Sequence, residues 1–309
     1  MPGDQKIKII IVQGPTASGK SELAVRLAER FAGEIVNADS MQVYRFMDIG
    51  TAKPSPDQLR RVPHHLLDIV TPDQTFSAAD FCQEAEKVIL DIARRGKRAI
   101  VCGGTGLYIR ALTKGLMDSP PVDDALRNEL KVLAGREGSR ELHRRLAEID
   151  PLAAERIHPN DQFRIIRALE VFQLTGRPIS ELREKHRFGT QRYDYCKIGL
   201  TMNRASLYRN IGNRVDMMIR QGFLEEVEAL LAAGYPSGLK SMRSLGYRHL
   251  CNYLDGLSTL DDALQLIKRD TRRYAKRQLT WFNQDQEINW IEYPENVAMI
   301  EHIAHDYFD

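Results

Sequence analysis

The sequence predicts an α/β fold: a doubly wound parallel sheet core with an inserted all-helical subdomain. Three observations lead there. A short β-branched run near the start ends in a glycine-rich loop and passes into a helical pattern. Strand-like and helix-like segments then alternate to about Leu112. Beyond Asp118-Ser119-Pro120-Pro121, every periodic segment to about Gly189 has helical spacing, and strand character returns only at Tyr195.

Each element has a local reason. Lys6 to Gln13 reads as a buried parallel strand, short and β-branched. Leu23, Leu27 and Phe31 share one face of a helix from Ser21 to Phe31. Glu34 to Ala38 is a second strand running into Asp39. Ser77, with Asp80 three residues on, caps a helix that carries Val88, Ile89 and Ile92 to Gly96. Arg98 to Cys102 is another buried strand, and Gly103-Gly104-Thr105-Gly106 leads from it into Leu107 to Leu112. In the helical stretch, Leu126, Leu130 and Leu133 share a face, as do Leu142, Leu146 and Ile149, then Ile165, Leu169 and Phe172. His158-Pro159-Asn160-Asp161 reads as a helix entry capped by Asn160 or Asp161. A strand follows over Tyr195 to Leu200, then a helix with Leu207, Ile211, Val215 and Met218. A long helix runs from about Asp261 to Phe282, and Ile288 to Ile291 is a late edge strand. The expected division is 1–117 for the first part of the core, 118–193 for the helical insertion, and 194–309 for the rest of the core with its basic helix.

Composition narrows the function classes. With 43% hydrophobic and 28% charged residues, disorder, a collagen-like chain and a membrane bundle are excluded. No window approaches the ~18 apolar residues of a spanning helix, and no signal peptide is evident, so the expected location is the cytoplasm. Cys82, Cys102, Cys196 and Cys251 are scattered, without metal-ligand spacing. The net charge is only +2, so any nucleic-acid argument must rest on where the charges sit.

Gly14-Pro15-Thr16-Ala17-Ser18-Gly19-Lys20-Ser21 matches G-x-x-x-x-G-K-[ST], after a strand and before a helix. The core is therefore expected to be a P-loop doubly wound parallel sheet. The glycines let backbone N–H groups close around a diphosphate at a helix N-terminus. Lys20 adds a full charge, and the Ser21 hydroxyl suits Mg²⁺. A P-loop specifies polyphosphate, not a reaction. NTP hydrolysis calls for an apolar strand ending in Asp, yet Ala99 to Cys102 ends in Gly103-Gly104. The best-placed acid is Asp39. At the carboxyl ends of the strands, Asp39 and Thr105 should both face the phosphate site, although spacing alone also allows Asp39 a turn or cap role.

Lys268, Arg269, Arg272, Arg273, Lys276 and Arg277 crowd the last long helix; Arg243 and Arg248 flank Gly246-Tyr247, and Arg164 and Arg167 share a face. Such a stripe is either a phosphate-backbone footprint or a solvated helix face. Tyr247 and Tyr274 either stack bases or belong to the core. His64 and His65 lack a third ligand for a metal.

Further segments extend the pattern: Asp39-Ser40-Met41-Gln42-Val43-Tyr44, Met47-Asp48-Ile49-Gly50-Thr51-Ala52-Lys53-Pro54, His64-His65-Leu66-Leu67-Asp68 and Gly103-Gly104-Thr105-Gly106-Leu107-Tyr108. His158-Pro159-Asn160-Asp161, Arg167-Ala168-Leu169-Glu170-Val171, Gly246-Tyr247-Arg248 and Ala275-Lys276-Arg277-Gln278-Leu279-Thr280-Trp281 complete it. Together with the P-loop, and in this order, they resemble the tRNA dimethylallyltransferases of bacteria. The resemblance implies transfer of a dimethylallyl group from dimethylallyl diphosphate to the N6 amine of the adenosine 3′ to the anticodon, in tRNAs reading codons that start with U. It implies that the P-loop (Gly14, Pro15, Thr16, Ala17, Ser18, Gly19, Lys20, Ser21) and Arg214 hold the diphosphate, with Mg²⁺ on Ser21. It makes Asp39 the general base, with Thr16 and Lys20 beside the leaving group. The implied tRNA contacts are Asp39, Ser40, Met41, Gln42, Thr105, Arg127, Phe163, Arg164, Ile165, Ile166, Arg167, Ser244, Leu245, Gly246, Tyr247, Arg248 and His249. The expected partner is the tRNA anticodon stem-loop, gripped by the helical insertion; no membrane is expected, and a monomer suffices. Phe46 departs from the small residue or lysine of many relatives.

Two other readings stay open on the residues themselves. A P-loop kinase of a small metabolite would use the insertion as a lid and Asp39 to position its acceptor. A nucleotide-switched RNA-binding module would need only the P-loop and the basic helix.

Overall fold

The structure, a computed structural model, describes residues 6–117, 120–186 and 192–308. Its strands are β1 (Lys8–Gln13), β2 (Gly33–Asn37), β3 (His64–His65), β4 (Arg98–Gly103), β5 (Asp194–Thr201) and β6 (Ile288–Glu292). Its helices are α1 (Lys20–Arg30), α2 (Pro56–Arg61), α3 (Ala78–Arg94), α4 (Gly106–Lys114), α5 (Asp124–Glu137), α6 (Ser139–Ile149), α7 (Pro151–Arg156), α8 (Gln162–Thr175), α9 (Ile179–His186), α10 (Arg204–Arg220), α11 (Phe223–Ala232), α12 (Tyr247–Leu254), α13 (Leu260–Phe282) and α14 (Val297–Phe308).

The six strands pair in parallel in the order β3-β2-β4-β1-β5-β6. Period-2 alternation sends their side chains to both faces. Ile9, Ile11, Val36 and Val101 pack with Phe81, Ile89 and Ile92 of α3 and with Tyr108 and Leu112 of α4. Ile10, Val12, Ile35 and Ile100 pack on the other face with Leu23 and Leu27 of α1 and Ile300, Ala304 and Phe308 of α14. This is the doubly wound sheet the sequence predicts. Ser77 caps α3 as expected, accepting from the Asp80 amide while Asp80 accepts from the Ser77 amide at 2.8 Å. α2, α11, α12 and α14 lie outside the elements predicted from sequence.

Because every strand points the same way, the loops after β1, β2 and β4 all emerge at one end of the sheet. Gly103 permits the closest approach there: a Cβ on it would overlap the Ala38 carbonyl. Helices α10 to α13 build a further apolar cluster around Val215, Phe223, Tyr247 and Ile267, against Val43, Tyr44 and Met47. Lys197, buried in β5, donates to Asp285 (2.7 Å) and Glu287 (2.8 Å) and so ties the chain just past α13 to the sheet.

The chain divides into two compact units, one of residues 1–113 with 192–309 and one of residues 114–191. The second unit is helical throughout its regular elements and has its own core of Leu142, Leu146, Ile165, Leu169 and Val171. Asp161 is the residue that caps α8, accepting from the Arg164 amide at 3.2 Å.

Candidate active site

A cavity of about 370 Å³ opens at the carboxyl end of the sheet, within the first unit. Thr16, Lys20 and Ser21 line it from the P-loop, Asp39 to Gln42 from the β2 loop, and Arg214, Tyr274, Arg277 and Gln278 from α10 and α13. Ile211, Val215, Met218, Phe223, Leu245 and Ile267 add an apolar wall. The cavity thus joins cations, one carboxylate and hydrocarbon.

The P-loop is held from inside and from afar. Ser18 donates its amide to the Pro15 carbonyl (3.3 Å), and the Lys20 ammonium also reaches that carbonyl (3.4 Å). Buried Gln278, from α13, accepts from the Thr16 amide and donates to the Gly104 carbonyl, both at 2.9 Å. One side chain therefore sets the P-loop against the loop after β4. The sequence reading assigned Gln278 no role, because its partners lie far away in the chain. The Ser18 hydroxyl is buried, with no hydrogen-bond partner among the described residues.

Asp39 Oδ1 accepts from the Met41 amide (2.9 Å), and Oδ2 has no hydrogen-bond partner among the described residues. The segment after it is locked on two sides. Thr105 Oγ1 accepts from the Ser40 amide (3.0 Å), and Gln42 Nε2 donates to the carbonyls of Thr51 (3.1 Å) and Ala52 (2.9 Å). Asp48, Ile49 and Gly50 donate their amides to Glu226, which also accepts from the Tyr247 hydroxyl (2.6 Å).

Withdrawal from water lowers the Lys20 pKa; Cys102 and Asp39 pull it back up, and Arg214 adds to the lowering. Burial likewise lowers Arg214, with Asp39 opposing. Burial pushes the Cys102 thiol up to about 12 despite Lys20, so Cys102 is no nucleophile here. Tyr274 is raised by burial and by Asp39, which keeps its hydroxyl protonated.

Not every expected site residue meets the cavity. Gly14, Pro15, Ala17, Ser18 and Gly19 shape the P-loop without lining it, and Thr105 acts through Ser40. Of Ser244 to His249, all but His249 line the cavity. Tyr247 is buried, with its ring on Phe223 (5.0 Å between centroids) and its hydroxyl on Glu226, so the base-stacking reading of this tyrosine gives way to the core reading. His249 is buried against Asp270 (3.2 Å), which also holds Arg248 (2.9 Å).

Arg127, Phe163, Arg164 and Arg167 belong to the helical unit. Arg127 and Arg167 both donate to buried Glu170 at 2.7 Å, and the Asp123 amide joins them (3.0 Å). Burial alone would raise the Glu170 pKa, but these donors outweigh it and the net shift is downward. Ile165 and Ile166 are core residues, whereas Phe163 and Arg164 are exposed.

Among the described residues, no three His, Cys, Asp or Glu side chains converge as a metal site. Beside the P-loop, the oxygen donors that line the cavity include the hydroxyls of Thr16 and Ser21 and the Asp39 carboxylate.

Residues 42–285 match the model of the IPP transferase family. The chain belongs to that family. It is 65% identical over 298 residues to tRNA dimethylallyltransferase 2 of Geotalea uraniireducens, covering 96% of each chain, and 60% identical to the tRNA dimethylallyltransferase of Geobacter metallireducens, covering 95% of each. Among solved structures, this IPP transferase is similar to the full-length tRNA isopentenylpyrophosphate transferase of Bacillus halodurans. Their TM-score is 0.72 at 39% identity, over 98% of this chain and 97% of that one. It is also similar to a eukaryotic dimethylallyltransferase captured acting on tRNA, with a TM-score of 0.83 at 28% identity over 98% and 79% of the respective chains. No helix among the described residues is long and apolar enough to cross a membrane.

Proposed function

We propose that this IPP transferase moves a dimethylallyl group from dimethylallyl diphosphate to N6 of the adenosine 3′-adjacent to the anticodon (position 37), in tRNAs reading codons that start with U. The observation that carries the reading is one cavity in which Asp39 has an unengaged carboxylate oxygen and faces Lys20 and Arg214.

The diphosphate lies against the P-loop, Lys20 and Arg214, and the prenyl chain against the apolar wall. The adenine enters beside Asp39, leaving its stack at a cost of a few kcal/mol. The N6 lone pair attacks the allylic carbon. That carbon's bond to oxygen breaks, and its electron pair passes to the bridging oxygen of the departing diphosphate. The surplus N6 proton moves to Asp39 Oδ2. An exocyclic adenine amine is a weak nucleophile, so the carboxylate contributes ~10²- to 10⁴-fold. Thr16, Lys20 and Arg214 are positioned in advance for the growing negative charge.

The cavity's hard oxygen donors fit Mg²⁺, which binds through one or two protein oxygens plus substrate phosphates. Ser21 would hold it, and the ion would supply charge neutralisation of the diphosphate. On the helical unit, Phe163 and Arg164 are the exposed groups for the anticodon stem-loop, while Ile165 and Ile166 hold α8 in shape.

The test supplies the protein with prenyl-labelled dimethylallyl diphosphate, γ-labelled ATP and unmodified tRNA. The expected result is prenyl label on adenosine in the tRNA. Phosphate label on an acceptor, or RNA binding with no prenyl label, contradicts the reading.

A further inference from the structure

A P-loop must hold its shape before a ligand arrives, and its glycines contribute freedom rather than stiffness. Gly19, the N-cap of α1, lies at φ 87° in the left-handed region and offers no side chain to cap the helix. Fixing the backbone of one residue costs entropy worth roughly a five- to thirtyfold change in an equilibrium constant. A ligand that had to order Gly19 on arrival would bind more weakly by that factor. A protein contact that orders Gly19 beforehand removes the loss.

Elsewhere in the loop the holders are polar or backbone groups. Thr16 is held by Gln278, and Asn210 donates to the Ala17 carbonyl at 3.5 Å. Gly14 lies against β5, where a Cβ on it would stand 3.1 Å from the Leu200 carbonyl oxygen. Gly19 has an aromatic neighbour instead. A Cβ there would stand 2.6 Å from Cε1 and 3.0 Å from Cδ1 of Tyr293, so the ring lies directly against the glycine. Tyr293 follows β6 and is itself tied down. Its amide donates to the Thr201 carbonyl at the end of β5 (3.0 Å), and its side chain packs on the cluster of Val12, Leu23, Ile291 and Ile300. Its hydroxyl has no hydrogen-bond partner among the described residues, so the contact belongs to the ring. Tyr293 does not line the cavity and acts on a ligand there only through Gly19.

We propose that Tyr293 is a positioning residue for the diphosphate: its ring, carried by the end of the β5–β6 pair, fixes Gly19 and with it the first turn of α1 that bears Lys20 and Ser21. The inference rests on the reading of the P-loop as the dimethylallyl diphosphate site given above.

Binding of dimethylallyl diphosphate with Mg²⁺ is measured by calorimetry for the wild type, Tyr293→Phe, Tyr293→Ala, Gly19→Ala and the double variant, beside steady-state prenyl transfer to tRNA. Tyr293→Ala should raise the Kd and KM for the donor roughly five- to thirtyfold. At saturating donor its kcat, and its KM for tRNA, should stay within about twofold of wild type. Tyr293→Phe should behave as wild type. Gly19→Ala should cost more donor affinity beside Tyr293 than beside Ala, because the added Cβ meets the ring only when the ring is there. Thermal unfolding of each variant checks the fold; if Tyr293→Ala is unfolded, Tyr293→Leu, which keeps apolar bulk without the flat ring, takes its place. In a wild type that binds the donor and prenylates tRNA, a lowered kcat with donor Kd and KM unchanged would overturn this inference alone, since it marks a tyrosine that only stabilises the fold. So would independent effects of the two substitutions, or a loss in Tyr293→Phe equal to that in Tyr293→Ala. A wild type that does not bind dimethylallyl diphosphate would overturn the functional reading as well.

Discussion

Gln278 shows what a single side chain does when its two ends have different partners. Its carbonyl oxygen takes the Thr16 N–H and its amide serves the Gly104 carbonyl. Gln278→Met keeps the length and leaves both backbone groups unpaired, at a cost of ~1–3 kcal/mol where water cannot replace the bond. The expected outcome is an unfolding free energy lower by that amount, read from urea unfolding, and weaker binding of dimethylallyl diphosphate. A variant with wild-type stability and donor affinity would show that the P-loop holds its shape without help. Lys20 and Asp39 could be singled out from sequence because their chemistry is carried by local motifs. Gln278 could not: glutamine in a helix is ordinary until the fold brings positions 16 and 104 to it.

At the scale of elements, Asp270 joins α12 to α13. It accepts from Arg248 (2.9 Å), His249 (3.2 Å) and Arg269 (3.0 Å). Burial would raise its pKa, yet the hydrogen bonds from Arg269, His249 and Arg248 bring it down to about 2. A carboxylate that binds its proton less readily folded than unfolded stabilises the fold above the unfolded value near 4, and that stabilisation fades as pH falls toward about 2. Asp270→Asn should therefore cost on the order of 2 kcal/mol at pH 7, and the gap to wild type should narrow as the pH is lowered from about 4 toward 2. Urea unfolding at several pH values measures it, and a gap independent of pH would assign Asp270 a packing role instead. The same cluster explains why the basic stripe was only half legible. Helical spacing puts Arg269, Arg272, Arg273 and Lys276 on one face, but only the fold shows which of them meet Asp270. By contrast, the strand and helix alternation through Leu112 was readable because burial on both faces of a parallel sheet forces continuous β-branched runs. α14 was readable too, from Ile300, Ala304 and Phe308 at four-residue spacing, but the sequence reading ended at the last strand.

Across the whole molecule, the first unit brings together loops that are far apart in sequence because all six strands share one direction. That arrangement puts the P-loop and Asp39 into one cavity, the cavity proposed here for prenyl transfer to tRNA. The motifs named the chemistry, while the apolar wall from α10 to α13 and the Glu226 anchor behind Gly50 emerged only from packing. The account converges on one atom, Asp39 Oδ2, as the acceptor of the N6 proton. Asn keeps the size and one acceptor oxygen but loses the charge. Single-turnover transfer by Asp39→Asn, with donor, tRNA and Mg²⁺ all saturating, is therefore the most direct measurement. The account predicts a rate ~10²- to 10⁴-fold below wild type, with donor and Mg²⁺ affinities within a few-fold. Recovery of the rate by excess Mg²⁺ would make Asp39 a metal ligand and contradict it.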